Sequence, residues 1–367
     1  MKHSTVYIAI FLTSLSSYSQ EQVNRQETIK HYEVAFNELN SMLRGSTPLN
    51  FKKAVFIVEN TYWDNELNYE LFNNQIFELT RLCKAVAKSR RLLYDETDKE
   101  KVTKHAAIFS VITDTLPINY NRVIINHSPF TYDFEDFFGY KDWSKMFVIK
   151  LMNTKKGNCH SLPYLYKILA EEMGEQAYLS LAPNHIYIKL RNKKNGWYNT
   201  ELTSGIFPID AWIKSSGFIH MNAIRNGIFM DTLGQKQSIA LCLMDLAQGY
   251  ERKNEVGNGE FILKACETAL TYYPNFINAL LIKVRTQEKM LFAQMEAAKV
   301  ESITELFVSF SDAEKMVSDM EQSYIKIHQL GYRKMPEQMY LDWLTSLEKN
   351  KEKYQNKKII NFTPNTQ

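Results

Sequence analysis

The residues best suited to chemistry are a cysteine, a histidine and a glutamate, in the order Cys159, His185 and Glu201. A thiol becomes a good nucleophile when its thiolate is stabilised. The first turn of a helix does this, because its N–H groups lack intrahelical partners and its dipole favours negative charge. Gly157-Asn158-Cys159 places a cysteine at such a position, with a glycine that lets the chain turn tightly just before it. The thiol then needs a base within hydrogen-bond reach, and the base needs a group that fixes its tautomer. His185 opens one strand-like segment and Glu201 lies on the next, so antiparallel pairing would bring them together on one sheet face. Asn199, two residues before Glu201, shares that face and is the rival orienter, since an amide also holds an imidazole. His160, directly after the cysteine, reads as a surface residue on the first helical turn, within reach of a substrate. Cys159, His160, His185 and Glu201 are all competent zinc ligands, yet their spacing lacks a metal-finger pattern. Neither a metal nor a cofactor is expected.

Several elements must position this set. Leu162, Leu165, Ile168, Leu169 and Met173 form one apolar face and predict a helix over 159–173, with Pro163 harmless in its first turn and Gly174 ending it. Three strand-like pieces follow, 177–181, 185–190 and 197–202, the last two joined by a polar link ending in Asn195-Gly196. Upstream, 143–152 reads as a short helix with Asp142 placed to cap it. The passage 132–140, rich in rings and acids, reads as a loop that buries the rings and exposes the acids rather than as a metal site. Before it come helices over 51–59, 69–88 and 102–115. Leu71, Ile76, Leu79, Leu82 and Val86 mark the face of the second, and Pro117 closes the third.

The run Leu151-Met152-Asn153-Thr154-Lys155-Lys156-Gly157-Asn158-Cys159 resembles the nucleophile segment of the transglutaminase-like superfamily, one of the papain-like cysteine folds. In that superfamily a strand beginning with His follows, then a Gly-Trp turn with an acidic residue four positions after the Trp. This chain has His185, Gly196-Trp197 and Glu201. The resemblance covers roughly residues 105–210 and implies Cys159 as nucleophile, His185 as general base and acid, and Glu201 as orienting acid. It departs from the pattern in having Glu where Asp is usual and Leu202 where Pro is expected, and His185 follows Cys159 by only 26 residues. The activity it implies is that of a cysteine-dependent peptidase, amidase or amide transferase. Hydrolysis is the simpler outcome, because water needs no second pocket. Tyr140 and Trp143 are candidates for a second oxyanion donor. Members of this superfamily also serve as inactive scaffolds, so a binding module for a peptide or protein partner is the alternative.

From Pro208 the pattern is helical again, and 241–290 resembles a tetratricopeptide repeat. Leu246, Ala247, Gly249 and Tyr250 fit a first helix, Ala265, Ala269 and Leu270 a second, and Pro274-Asn275 the next turn. A weaker echo runs from Tyr324 to Leu344. The expected architecture is α+β: a signal peptide at 1–19, a helical region at 20–104, a transglutaminase-like core at 105–235, a tetratricopeptide-like helical region at 236–348 and a fraying polar tail at 349–367. In the core, a nucleophile helix packs on an antiparallel sheet.

Composition narrows the classes. With 367 residues, of which 45% are hydrophobic and 23% charged, the chain can bury a sizeable core. A formal charge of +3 and the lack of GxxxxGK[ST] or GxGxxG runs give no reason to expect nucleic acid, acidic lipid or nucleotide as partner. Lys2 and His3, the apolar run Val6 to Leu15, and Ser17 and Ser19 before Gln20 read as an export signal, pointing to a periplasmic or secreted protein. No later segment is apolar for long enough to span a bilayer. Cys83, Cys242 and Cys266 sit in apolar helical patterns and read as buried small hydrophobes, with Cys242–Cys266 the pair an oxidising compartment would bridge. Oligomeric state leaves no trace in the sequence.

Overall fold

Helical periodicity shapes the first third of the chain, in a computed structural model that describes residues 26–120, 123–253, 259–359 and 361–362. The expected signal peptide lies outside the described residues. Helix α1 covers 26–44, followed by α2 (Phe51–Tyr62), α3 (Tyr69–Ser89) and α4 (Lys99–Thr113). Asn50 and Asn68 accept N–H bonds from the first turns of α2 and α3, which fixes where those helices start. The buried stripe of α3 is Phe72, Ile76, Thr80, Cys83 and Val86, whereas Leu71 points to solvent. Helix α4 starts at Lys99 and stops at Thr113, two residues short of the expected end at 115. The residue before a proline avoids helical geometry, and Pro117 falls inside β1 (Leu116–Tyr120), which pairs with β2 (Val123–His127).

A parallel pairing of β3 (Thr131–Tyr132) with β4 (Lys156–Gly157) brackets the ring-rich loop, a 3-10 turn (Trp143–Met146) and α5 (Val148–Thr154). The loop follows the sequence reading only in part: Tyr132 is buried, but Phe134 and Tyr140 are exposed and the acid Asp136 is buried, because it serves the backbone. Buried Asp136 accepts the N–H groups of Tyr140, Lys141 and Asp142, and Gly139 takes a positive φ of 64°. Helix α6 (Ser161–Glu172) packs on an antiparallel sheet of β5 (Tyr178–Ala182), β6 (His185–Asn192) and β7 (Gly196–Thr200). Short helices α7 (Asp210–Lys214) and α8 (Met221–Arg225) lead into α9 (Gln235–Lys253), α10 (Glu260–Tyr272), α11 (Ile277–Ala298), α12 (Ile303–Ser309) and α13 (Ala313–Gln329). Helix α14 (Glu337–Lys349) and α15 (Lys351–Tyr354) follow. Consecutive long helices pack as neighbours, α9 on α10, α10 on α11 and α11 on α13.

The fold is therefore mixed α+β, and one continuous apolar core runs from Tyr32 to Phe362, through the regions separated in the sequence reading. Helix α2 packs on α9 and α4 on α6. The described part of the tail, 350–359 and 361–362, is docked rather than frayed: Ile209 N–H bonds Tyr354 O and Asn356 N–H bonds Phe207 O, while Ile359 and Phe362 are buried. These few apolar residues in a polar stretch suffice to dock it. Cys83, Cys242 and Cys266 are buried free thiols, as their apolar helical patterns suggest; Cys242 and Cys266 are not bridged, and Cys266 lies against Met244. No helix among the described residues is long and apolar enough to cross a membrane.

Candidate active site

The nucleophile turn is built by Asn158. Its Oδ1 accepts the N–H groups of His160 (3.0 Å) and Ser161 (3.1 Å), its own N–H donates to Ser161 Oγ, and its Nδ2 donates to Phe137 O. Helix α6 consequently starts at Ser161, and Cys159 lies in the turn just ahead of it rather than at its first position. Gly157 is needed for space rather than for an unusual φ, since a Cβ there would come within 2.6 Å of both Leu151 Cδ1 and Ser161 Oγ. Among the described residues the Cys159 N–H has no hydrogen-bond partner, which leaves it free to receive an anion.

The base comes from the sheet. Pro183-Asn184 makes a two-residue turn closed by the Ala182–His185 pair, and Asn184 takes the left-handed conformation (φ 56°) that such a turn needs at its second position. His185 and Glu201 point to the same face one diagonal step apart, the Ile188–Thr200 register setting Glu201 opposite Tyr187. His185 Nε2 lies 2.7 Å from Glu201 Oε2, and Glu201 Oε1 accepts the Thr203 N–H at 2.9 Å. Both side chains are almost fully buried. The carboxylate fixes the proton on Nε2 and leaves Nδ1 to work as acceptor or donor. Nδ1 is 3.2 Å from the phenol of Tyr340, on α14, which in turn is 3.2 Å from the phenol of Tyr132. The Cys159 sulfur lies 3.7 Å from Asn184 O, with the His185 ring and the Tyr340 phenol close enough to act on its charge.

The electrostatics follow from this geometry. Burial pushes the Cys159 thiol up, but the hydrogen bond and charge of His185 and the Tyr340 phenol outweigh it, and the thiol ends below its ordinary value. Burial pulls His185 down, but Glu201 and Cys159 raise it to about 10. Glu201 ends below the usual carboxylate value, because His185 and Thr203 overcome its burial. Burial pushes Cys83 up to about 12, and Cys266 as well, there outweighing the nearby Lys283 and Arg285 charges. One thiol of the four departs downward.

His160 is not the surface residue expected. Its Nδ1 faces Met146 O at 2.9 Å and its Nε2 faces Asp245 Oδ1 at 3.0 Å, while Tyr164 donates to Asp245 Oδ2 at 2.9 Å. A carbonyl and a carboxylate accept, so both ring nitrogens are placed to donate, an arrangement that favours the imidazolium. Consistently, the Asp245 charge and these bonds outweigh burial and hold His160 above the usual histidine value. Asn199, the rival orienter, turns out to be engaged elsewhere: its Nδ2 donates to Pro208 O (3.1 Å) and Asp210 Oδ1 (2.8 Å). Tyr140 is exposed and donates to Glu337, and Trp143 packs with Met146 and Phe147 under the guanidinium of Arg252; neither is hydrogen bonded to Cys159. Tyr132, Asn184, Asp245 and Tyr340 were not singled out from sequence. The last two lie 85 and 155 residues from the histidines they contact, and no local pattern marks such partners. Among the described residues no three His, Cys, Asp or Glu gather as a metal would require.

Cys159, His160 and His185 line a cavity of about 680 Å³ between the sheet, the ring-rich loop and helices α9 and α11. No protein-family model matches the chain, and no curated protein matches it. Among solved structures, the chain is similar to one described as the crystal structure of menin revealing the binding site for Mixed Lineage Leukemia (MLL) protein. The TM-score is 0.33 at 13% identity, over 82% of this chain and 74% of the other. A likeness at that level carries no argument about fold or function.

Proposed function

We propose that this protein is an exported thiol enzyme of the transglutaminase-like kind, hydrolysing or transferring an amide or peptide bond through Cys159, His185 and Glu201. The observation that carries the reading is the buried 2.7 Å His185–Glu201 contact beside a thiol that opens onto a large cavity. Residues 105–235 form the transglutaminase-like core in this reading, and the helices after them a tetratricopeptide-like flank. The cysteine thiolate attacks the amide carbonyl, the C–S bond forms, and the carbonyl electron pair moves to oxygen, where the free Cys159 N–H receives it. The His185 imidazolium then gives its proton to the leaving nitrogen as the C–N bond breaks, releasing an amine and leaving a thioester. A water that loses its proton to His185 attacks the thioester, the C–S bond breaks, and a carboxylic acid leaves with the thiolate restored. Glu201 holds the ring and the charge that forms on it.

One observation favours a second reading, an inert scaffold that binds a peptide or protein. The working nitrogen of His185 is engaged by Tyr340, a fully buried phenol that a reacting group must compete with. Alkylation of Cys159 by iodoacetamide across pH decides between the two. The enzyme reading expects reaction well below the ordinary thiol value of about 8.5, lost in Cys159→Ala and strongly reduced in His185→Ala. A Cys159 that reacts no faster than an ordinary thiol overturns it and leaves the scaffold.

A further inference from the structure

Two helix faces line the cavity, and both change character in the same direction. On α9, Leu241 and Met244 give way to Asp245, which is tied to His160, and then to Glu251 and Arg252 on the same stripe. Along α11, Phe276 and Leu281 give way to Arg285 and Lys289. The outer parts of the two helices lie side by side, because Arg285 and Lys289 share the carboxylate of Glu251 at 2.7 and 2.6 Å. Arg252 has no carboxylate within ion-pair distance among the described residues. Its guanidinium sits 4.0 Å over the Trp143 ring, and burial with the nearby Arg285 charge holds it below the usual arginine value despite Glu251. Lys334 adds a further cation, and Glu337, bonded to Tyr140, a carboxylate.

The cavity lining thus carries four cations, Arg252, Arg285, Lys289 and Lys334, against Glu251 and Glu337, besides the His160–Asp245 pair, while Leu181, Leu241 and Met244 give it an apolar part. Helix-dipole preference accounts for Arg252 in the last turn of α9, but not for Arg285 and Lys289 in the middle of α11. Arg252 lies seven residues beyond Asp245, about 10 Å along the helix axis. An extended chain covers that span in about three residues.

We infer that the cavity takes an acidic peptide, with apolar residues beside the bond presented to Cys159 and an Asp or Glu about three residues away, held by Arg252 and Arg285. The position of the cleaved bond rests on the thiol-enzyme reading; the recognition does not.

The test is fluorescence anisotropy with full-length Cys159→Ala protein, which binds without turnover. The probes are three labelled eight-residue peptides: one with a central Leu-Ala bond, a Glu three residues from it and an amidated end; its Glu→Gln counterpart; and the Gln peptide with a free terminal carboxylate. The Glu peptide is expected to bind about tenfold more tightly than its Gln counterpart at low salt, with the preference shrinking as salt rises. Adding Arg252→Gln and Arg285→Gln should erase the preference, and Arg252→Lys with Arg285→Lys should keep most of it, which separates lost charge from lost folding. Equal binding of the Glu and Gln peptides, binding by neither, or tighter binding only with the free terminus each overturns the inference. A failed alkylation test would remove the chemistry and leave this binding result standing.

Discussion

Cys159 lies between two buried histidine–carboxylate pairs that look alike on distance and differ in use. In one, His185 spends only Nε2 on Glu201 and turns Nδ1 toward a phenol, a group that can either give or accept a proton, with the thiol close enough to feel its charge. In the other, His160 spends both nitrogens on acceptors, Met146 O and Asp245, and has nowhere to send a proton. The contrast shows that a buried histidine beside a carboxylate is not by itself a catalytic base; what the second nitrogen faces decides it. His160 pins the nucleophile turn to α9 through Asp245, whereas His185 is the ring that can cycle in the thiol-enzyme reading.

The largest effect expected from this contrast is that His185→Ala slows alkylation of Cys159 near neutral pH on the order of 10²-fold, because the thiolate loses its counter-charge and the thiol returns toward its free value. A pH series of iodoacetamide rates reads this as an upward shift of the midpoint. A change below twofold would show that His185 does not support the thiolate. Glu201→Gln comes next, with a loss of about tenfold, one pKa unit, since Glu201 raises His185 and without it the imidazolium deprotonates at lower pH. It also bears on stability. The raised His185 stabilises the fold fully below its unfolded value of about 6.5 and loses that contribution as pH rises through about 10. The lowered Glu201 contributes above its unfolded value of about 4.3 and loses that contribution as pH falls through its folded value. Glu201→Gln should therefore cost most between about pH 4.5 and 6.5, by about 3 kcal/mol for a broken buried pair, as read from urea melts.

Asp245→Asn sharpens the comparison from the other side. It removes the charge that keeps His160 protonated, so a destabilisation of about 2 kcal/mol is expected, with a loss in alkylation rate of about threefold at most. The raised His160 contributes stability below about pH 6.5 that fades as pH rises through its folded value, so the cost should be greatest in mild acid. If Asp245→Asn slowed the thiol as much as Glu201→Gln does, the two pairs would not be functionally distinct.

What the sequence made legible follows from contact range. The Cys159 turn, the strand opening at His185, and Glu201 across a hairpin are set by neighbours in the chain: Asn158 and Gly157 shape the first, and Asn184 and Gly196 the turns around the second. Such short-range geometry has a residue signature. His160 was misread because its carboxylate comes from α9, and Tyr340 was unseen because it arrives from α14 through the packing of the C-terminal helices on the core. The polar tail was misread for the same reason, as docking by Ile359 and Phe362 depends on a groove that only the folded core provides. Alternation set Asn199 and Glu201 on one face but could not choose between them; Pro208 and Asp210 made that choice by claiming the amide.

That choice yields the smallest expected effect. Asn199→Ala removes two donor contacts to Pro208 O and Asp210 and touches nothing on His185. The alkylation midpoint of Cys159 should stay within about 0.2 pH units of the parent, a change too small to reflect a lost partner of His185. The melt should still report a cost of about 1 kcal/mol, since Asn199 is buried and Asp210 and Pro208 O each lose a donor. The double variant with Glu201→Gln carries the sharper information. Sites that share no partner combine additively, so its midpoint should match that of Glu201→Gln alone. A further shift in the double variant would mean that the amide swings to His185 once the carboxylate is gone, making Asn199 a reserve orienter rather than a brace for the chain at Pro208.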